Sequence, residues 1–419
     1  MLGFVLLGLC LLFLMFSYEK TTCFFVAFYP LLCMVGITNS INLFHIVSIF
    51  CIFVYWAKYF KKKDNKNAKY PFNLTIVFVC LAYFATNIIN EAHWPTTIAI
   101  VSSEYILTIV FWNLMKNPVN RDYFFKCFIV FISIVCCYCI VEYILQFNPL
   151  YIWYVNSSIF TGYDANRLED IRFGSMRCHS IMRDVGALGT VCCTSICILY
   201  QHYLNYKQKT SVMLCLYFVI ASLCIICTFL TGTRTVILSL ILVLIIIFCS
   251  LKIKFKIRAT IIALVVIVAF SEYLGLILDA FIDTQSVVGS SAQMRDRQMS
   301  LVFDLFQRSP LCGIGLSGTE FVINRYADAY GLESSWFQLL VNLGLLGVIS
   351  FAVSIYQGLS LSIKLRNIAA IAMAVMFLVV KTMSSIPGIG LGYFLFIIIY
   401  LIANQNQSRT NENRNYYNA

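Results

Sequence analysis

Glu333 closes a polar, glycine-rich stretch, SPLCGIGLSGTEFVINRYADAYGLE, and stands at the mouth of an apolar run from Ser335 to Phe351. A carboxylate at such a boundary suits a general base, although ESSWFQ also reads as a helix N-terminus that Glu333 would cap. Arginines gather in the polar stretches around it: Arg167, Arg172, Arg177, Arg183, Arg234, Arg295, Arg297, Arg308 and Arg325. A planar, permanently charged fork binds phosphate in two-point fashion where lysine offers a point charge, so this set predicts a site for a diphosphate-bearing lipid. The plainer alternative is pairing with the loop acids Glu169, Asp170, Asp184, Asp296, Asp304 and Asp328. Arg234 sits in the short turn TGTRT, which sets a guanidinium at the membrane boundary, where a charge needs a partner or a ligand.

The elements that position these groups follow from composition. With 60% hydrophobic, 16% aromatic and 12% charged residues over 419 positions, the chain lacks the polar surface of a soluble globule. Apolar runs of about 16 to 23 residues recur along it, and about 12 or 13 of them would cross a bilayer as helices. The fold class is therefore an all-α polytopic integral membrane protein. The leading segment, Met1 to Phe16, has no basic n-region and reads as a retained span.

The basic run Lys61 to Lys69 fixes the side of every later loop, because lysine and arginine near span ends stay inside. The expected divisions are N-terminal spans over 1–145, a first large outer loop over 146–184, central spans over 185–278, a second large outer loop over 279–333, C-terminal spans over 334–403 and a disordered inner tail over 404–419. The first two spans are expected at Leu2 to Phe16 and Cys23 to Val35. The arginines then fall outside with a single lysine, Lys381, while nearly all other lysines fall inside. Positive charge outside runs against the usual rule, so something there requires it.

Other residues carry weaker signals. Of eighteen cysteines, all but Cys178 and Cys312 lie in apolar runs as small hydrophobes; those two could pair if their loops meet. No cysteine spacing resembles a metal site. Gly313, Gly315 and Gly318 form a GxGxxG string that follows no strand, which rejects a dinucleotide site and leaves tight turns or close approach of backbone to ligand. Tyr151, Trp153, Tyr154 and Tyr163 could stack on sugars or form an interfacial belt. His179 has no evident partner in the sequence.

Three stretches, TGTRTVILSLILVL (231–244), MRDRQMSLVFDLFQRSPLCGIGLSG (294–318) and ESSWFQLLVNLGLLG (333–347), resemble in order and spacing the shared core of O-antigen ligases and polymerases. The resemblance implies a C-type, metal-independent, inverting glycosyltransferase with no cofactor, in the bacterial inner membrane with its large loops periplasmic. It implies undecaprenyl-diphosphate-linked oligosaccharide as substrate, with the bilayer and a chain-length regulator protein as partners and no role for nucleic acid. The family's arginine in the short turn falls on Arg234, and its arginine before Pro-x-x-Gly-x-Gly falls on Arg295, with Arg297 in a competing register. The ligases' histidine falls on Glu333, a departure that favours a polymerase. Catalysis is then expected of Glu333, Arg234 and Arg295. Substrate binding is expected of Arg297, Arg172, Arg177, Arg308, Gly313 and Gly315. A ligase, a flippase with charges facing a central cavity, and a noncatalytic assembly partner are the alternatives; Glu104 and Glu142 are the few intramembrane acids.

Overall fold

The computed structural model describes residues 2–37, 41–59, 70–90, 94–157, 171–172, 175–205, 211–251, 253, 256–257, 292–326, 332–384, 386 and 389–417. The protein is an all-α polytopic membrane bundle. Its first helices are α1 Leu2–Ala27, α2 Tyr29–Leu32, α3 Leu43–Tyr59, α4 Asn73–Ile89, α5 Trp94–Met115, α6 Pro118–Leu145 and α7 Pro149–Asn156. After a two-residue antiparallel hairpin, β1 Ile171–Arg172 with β2 Ser175–Met176, come α8 Val185–Asn205, α9 Ser211–Leu230 and α10 Arg234–Ser250. The C-terminal part holds α11 Ala292–Arg308, α12 Gly318–Arg325, α13 Ser335–Lys364, α14 Ile368–Met383 and α15 Leu391–Tyr417. Among these, α5, α6, α8, α9 and α13 are long and apolar enough to cross a membrane, and α3, α4, α10, α14 and the start of α15 are shorter apolar helices.

Two helices form the centre. In α8 the run VGALGTVCCTS is almost all small residues, which lets neighbouring backbones approach closely where no hydrophobic force separates helix from lipid. Its hydroxyls return to their own helix: Thr190 donates to Gly186 O, Thr194 to Thr190 O and Ser195 to Val191 O. Around it pack α9, α10, α14 and α15, and the apolar stretch of α15 from Phe394 to Ile402 is almost entirely buried.

Polar contacts mark the two ends of the bundle. At one end Arg121 Nη1 donates to Ala403 O, Asn367 Nδ2 to Leu401 O, Asn205 Nδ2 to Asn404 O and Gln405 Nε2 to Leu365 O. At the other end Arg177 meets Thr231, Asn90 meets Gly313 and Ser335 meets Ser384. We call the end that bears Arg177 and Arg234 the outer one, after the side expected from the charges.

Two expectations change and a third gains detail. The N-terminal pair is two helices that meet at a kink at Ser17 (φ −151°, ψ 75°) within α1; the second stops at Ala27 rather than Val35, and the chain after it turns at Pro30 and closes a bridge between Gly36 and Asn42. The tail expected to be disordered continues α15 to Tyr417, since an existing helix gains a hydrogen bond with each added residue and no proline or glycine stops it. The described part of the second outer loop is mostly helical, in α11 and α12: Leu301, Val302 and Leu305 of α11, Val322 of α12, and Leu332 and Val341 build a small separate core against α13. The run Lys61 to Lys69, the inner Lys207 and Lys209, the span expected to end near Leu278, Tyr163, Arg167, Glu169, Asp170 and Asp328 lie outside the described residues.

Candidate active site

Glu333 is positioned by the start of α13. Ser334 is the N-cap, its hydroxyl accepting from Trp336 N at 3.3 Å, so the capping role that Glu333 might have filled belongs to its neighbour. The backbone N–H of Glu333 donates to Gln298 Oε1 at 3.3 Å, and Gln298 is fully buried. Arg295, one turn earlier on α11, places its Nε 3.4 Å from Glu333 Oε2. The two side chains are 50% and 34% exposed, so the pair is reachable from solvent. Two of the three residues expected to carry catalysis are thus in contact, and Arg297 is exposed on the same helix.

The glycine string explains how this pair is held. Helix α13 is broken at Gly344 (φ +62°, ψ −152°), and the loop after α11 inserts its backbone into the break. Ile314 N donates to Val341 O at 2.8 Å, Leu345 N to Pro310 O at 2.9 Å and Leu346 N to Leu311 O at 3.2 Å. A Cβ on Gly313 (φ +63°) would lie 2.5 Å from Val341 O, and one on Gly344 would lie 2.5 Å from Leu311 C. Helix α4 clamps the loop from its other side, with Thr86 Oγ1 donating to Cys312 O and Asn90 Nδ2 to Gly313 O. The close approach foreseen for a ligand at Gly313 is therefore made by the backbone of α13, and Gly315 (φ +105°) faces Asn90. Arg308, at the exposed end of α11, lines a hollow of about 360 Å³ with Leu305, Ile314 and Phe321.

Arg234 opens α10, half-buried, directly after the turn at Gly232 (φ +59°). The turn is pinned by Arg177, whose Nε donates to Thr231 O and whose Nη2 donates to Thr233 Oγ1, both at 2.9 Å. Arg177 is buried, so its polar contacts here are to the protein's own turn. Cys178 N continues the attachment to Leu230 O. Behind it, Glu142 of α6 accepts from His179 N at 3.1 Å, Ser180 N at 2.5 Å and Asn148 Nδ2 at 2.8 Å. His179, with no evident partner in the sequence, packs at a tilt against Tyr151 and holds Nδ1 3.8 Å from Glu142 Oε1. Tyr151 is fully buried, which removes it as a sugar platform, while Trp153 is exposed beside Tyr154. Arg172 lies in β1 opposite Ser175. Helix α14 packs against both α10 and α13; Ser335 reaches Ser384 at the end of α14, and on α8 Gly186 faces Ile386 while Gly189 faces Val236 of α10, so the turn of Arg234 and the cap of α13 stand at the same end of these helices.

Cys178 and Cys312 are both buried free thiols. The sulfurs of Cys136, Cys192 and Cys224, contributed by α6, α8 and α9, lie within 4.8 Å of one another, a grouping that no spacing in the sequence announces. They are soft ligands in geometry, but three thiolates in an apolar core would leave uncompensated charge, and packing as small hydrophobes accounts for them.

Lys381 was expected in an outer turn. It is instead buried at the end of α14, its Nζ 3.2 Å from Ile386 O, and it lines a cavity of about 230 Å³ together with Glu104. Nothing but the scarcity of intramembrane charges pointed to either residue.

Residues 218–352, about a third of the chain, match the family described as O-antigen ligase. The matched stretch holds Arg234, Arg295, the inserted loop, Glu333 and the break in α13. The match is consistent with the O-antigen ligase/polymerase superfamily, whose members are membrane glycosyltransferase-like enzymes. No curated protein matches the chain.

Proposed function

We propose that this chain, which carries the O-antigen ligase domain over residues 218–352, is a polymerase that joins undecaprenyl-diphosphate-linked repeat units on the outer face of the bacterial inner membrane. The observation that carries the reading is the Arg295–Glu333 contact at the outer end of α13, where a carboxylate and a phosphate-binding fork are held side by side. Glu333 at the place of the ligases' histidine supports polymerisation over ligation.

In this reading the diphosphate of the growing chain takes Arg295 and Arg234 as partners, which draws Arg295 away from Glu333. The carboxylate then accepts the proton of an acceptor hydroxyl on the incoming unit. The hydroxyl oxygen bonds to the anomeric carbon from the face opposite the diphosphate, and the anomeric C–O bond breaks with its electron pair leaving on undecaprenyl diphosphate. The arginines stabilise the charge that develops on that leaving group, a role electrostatic preorganisation can fill by itself. Arg177 supports the turn that presents Arg234 and acts as a positioning residue.

The test is the surface polysaccharide ladder of a strain lacking the protein, complemented with the intact sequence or with Glu333→Gln. The expected result is a core bearing a single repeat unit, extended to a ladder only by the intact protein. A core bearing no repeat unit at all would move the protein to ligation or translocation. A full ladder from Glu333→Gln would remove Glu333 from the chemistry.

A further inference from the structure

The cavity that holds Glu104 and Lys381 lies inside the bundle and beneath the Arg295–Glu333 pair, and the chemistry of its lining is unlike that of the arginine-rich outer surface. Its walls come from α4, α5, α13, α14 and the start of α15, and Ser335 and Gln338 reach it from the turn of α13 that follows Glu333 directly. Glu104 sits about midway along α5, on a π-helical turn from Val101 to Ile106, a distortion that recurs where helices build functional sites. The chain dips to meet it: a Cβ on Gly390 would lie 2.9 Å from Glu104 Oε2, and α15 begins there, roughly ten residues deep along α5. Irregular backbone at that depth is tolerated where it lines a polar cavity.

The lining combines a carboxylate and an ammonium with the uncharged groups of Ser335, Gln338, Tyr83 and Tyr105. Tyr29 Oη, at 3.2 Å, and the backbone N–H of Gly392 donate to the Glu104 carboxylate, which uses two of its roughly four acceptor positions, and Ile386 O takes one of the three protons of Lys381. Both charged groups therefore keep hydrogen-bonding capacity for a guest. A diphosphate would face the carboxylate of Glu104 at close quarters, which disfavours it. A neutral polyol matches the set: hydroxyls that both donate and accept meet donors and acceptors, and tyrosine offers an apolar face with a polar tip. A volume of about 230 Å³ holds roughly seven waters, or a single sugar ring.

We infer that this intramembrane cavity is a binding subsite for one sugar residue of the lipid-linked oligosaccharide, with Glu104, Lys381 and Gln338 as its hydrogen-bonding groups. The inference rests on the glycosyltransferase reading above and adds to it a place where the sugar is recognised, distinct from the place where the diphosphate is held.

The experiment is ligand-observed saturation-transfer NMR on the full chain in lipid nanodiscs, with glucose, galactose, rhamnose and N-acetylglucosamine as probes. At least one sugar should give a signal with the intact protein and equally with Glu333→Gln, and that signal should fall at least about five-fold in Glu104→Gln and in Gln338→Ala. Gln338 is half-buried at the cavity edge, so its variant tests the site even if Glu104→Gln misfolds. Inorganic pyrophosphate should leave the signal in place. Absence of any sugar signal, equal signals in the cavity variants, or displacement by pyrophosphate would each overturn the assignment. Failure of the polymerase reading is separate: Glu333→Gln would then still build a ladder, whatever the sugars do.

Discussion

Replacing Gly344 by alanine should disable the protein without removing it from the membrane. Gly344 occupies φ +62° and ψ −152°, a region open essentially to glycine alone, and forcing a side chain into it costs about 1–3 kcal/mol. The added Cβ would also stand 2.5 Å from Leu311 C and 2.6 Å from Gly313 N, which are backbone atoms unable to swing aside as a flexible side chain could. Relief requires the loop to withdraw, and withdrawal breaks the bonds from Ile314 N to Val341 O, Leu345 N to Pro310 O and Leu346 N to Leu311 O. Those bonds are given up in either protein when the loop withdraws, so the equilibrium shifts by the strain of about 1–3 kcal/mol with the backbone clash added to it, or by about one to two powers of ten toward the withdrawn loop. The packing of α13 against α4 and α14 is left in place, so membrane levels should stay near normal. We expect ladder formation to fall at least about ten-fold and protease added from the outer side to cut within residues 309–333 more readily. A normal ladder with an unchanged cleavage pattern would refute the claim that the inserted loop holds the catalytic pair.

Two further substitutions separate contact from support. Arg234→Lys keeps the charge and loses the fork; if two-point phosphate binding matters, the ladder should be lost with protein levels unchanged, whereas a normal ladder would reduce Arg234 to a point charge. Arg177→Ala removes the charged donors to Thr231 O and Thr233 Oγ1, worth about 1.5–3 kcal/mol each, and should lower both thermal stability and activity, with Arg177→Lys recovering part of the stability. Activity lost at full stability in Arg177→Ala would return Arg177 to direct substrate binding.

The candidate pair was legible because its signals are local: a carboxylate against an apolar run, and arginine where lysine would serve any purpose but phosphate binding. That Arg295 and Glu333 touch across 38 residues was not legible, since it depends on α11 folding back on α13 through a small apolar core. The glycine string reads as a place of close approach to a ligand, but sequence gives no means of naming what approaches, and at Gly313 it is a helix broken at a fourth glycine, Gly344. The same limit applies to Glu142. An acid inside an apolar run stands out, yet its partners include the backbone N–H groups of His179 and Ser180, which no side-chain pattern reveals. Glu104 and Lys381 carry the point furthest. Each looked isolated, one within a span and one in a turn, because the depth at which α15 begins cannot be read from composition. Once that depth is known, the two charges bound one cavity beneath Glu333, and the polar groups of α13 acquire a common neighbour. Intramembrane charges therefore mark where to look, and only the depth at which chain segments end says what they surround.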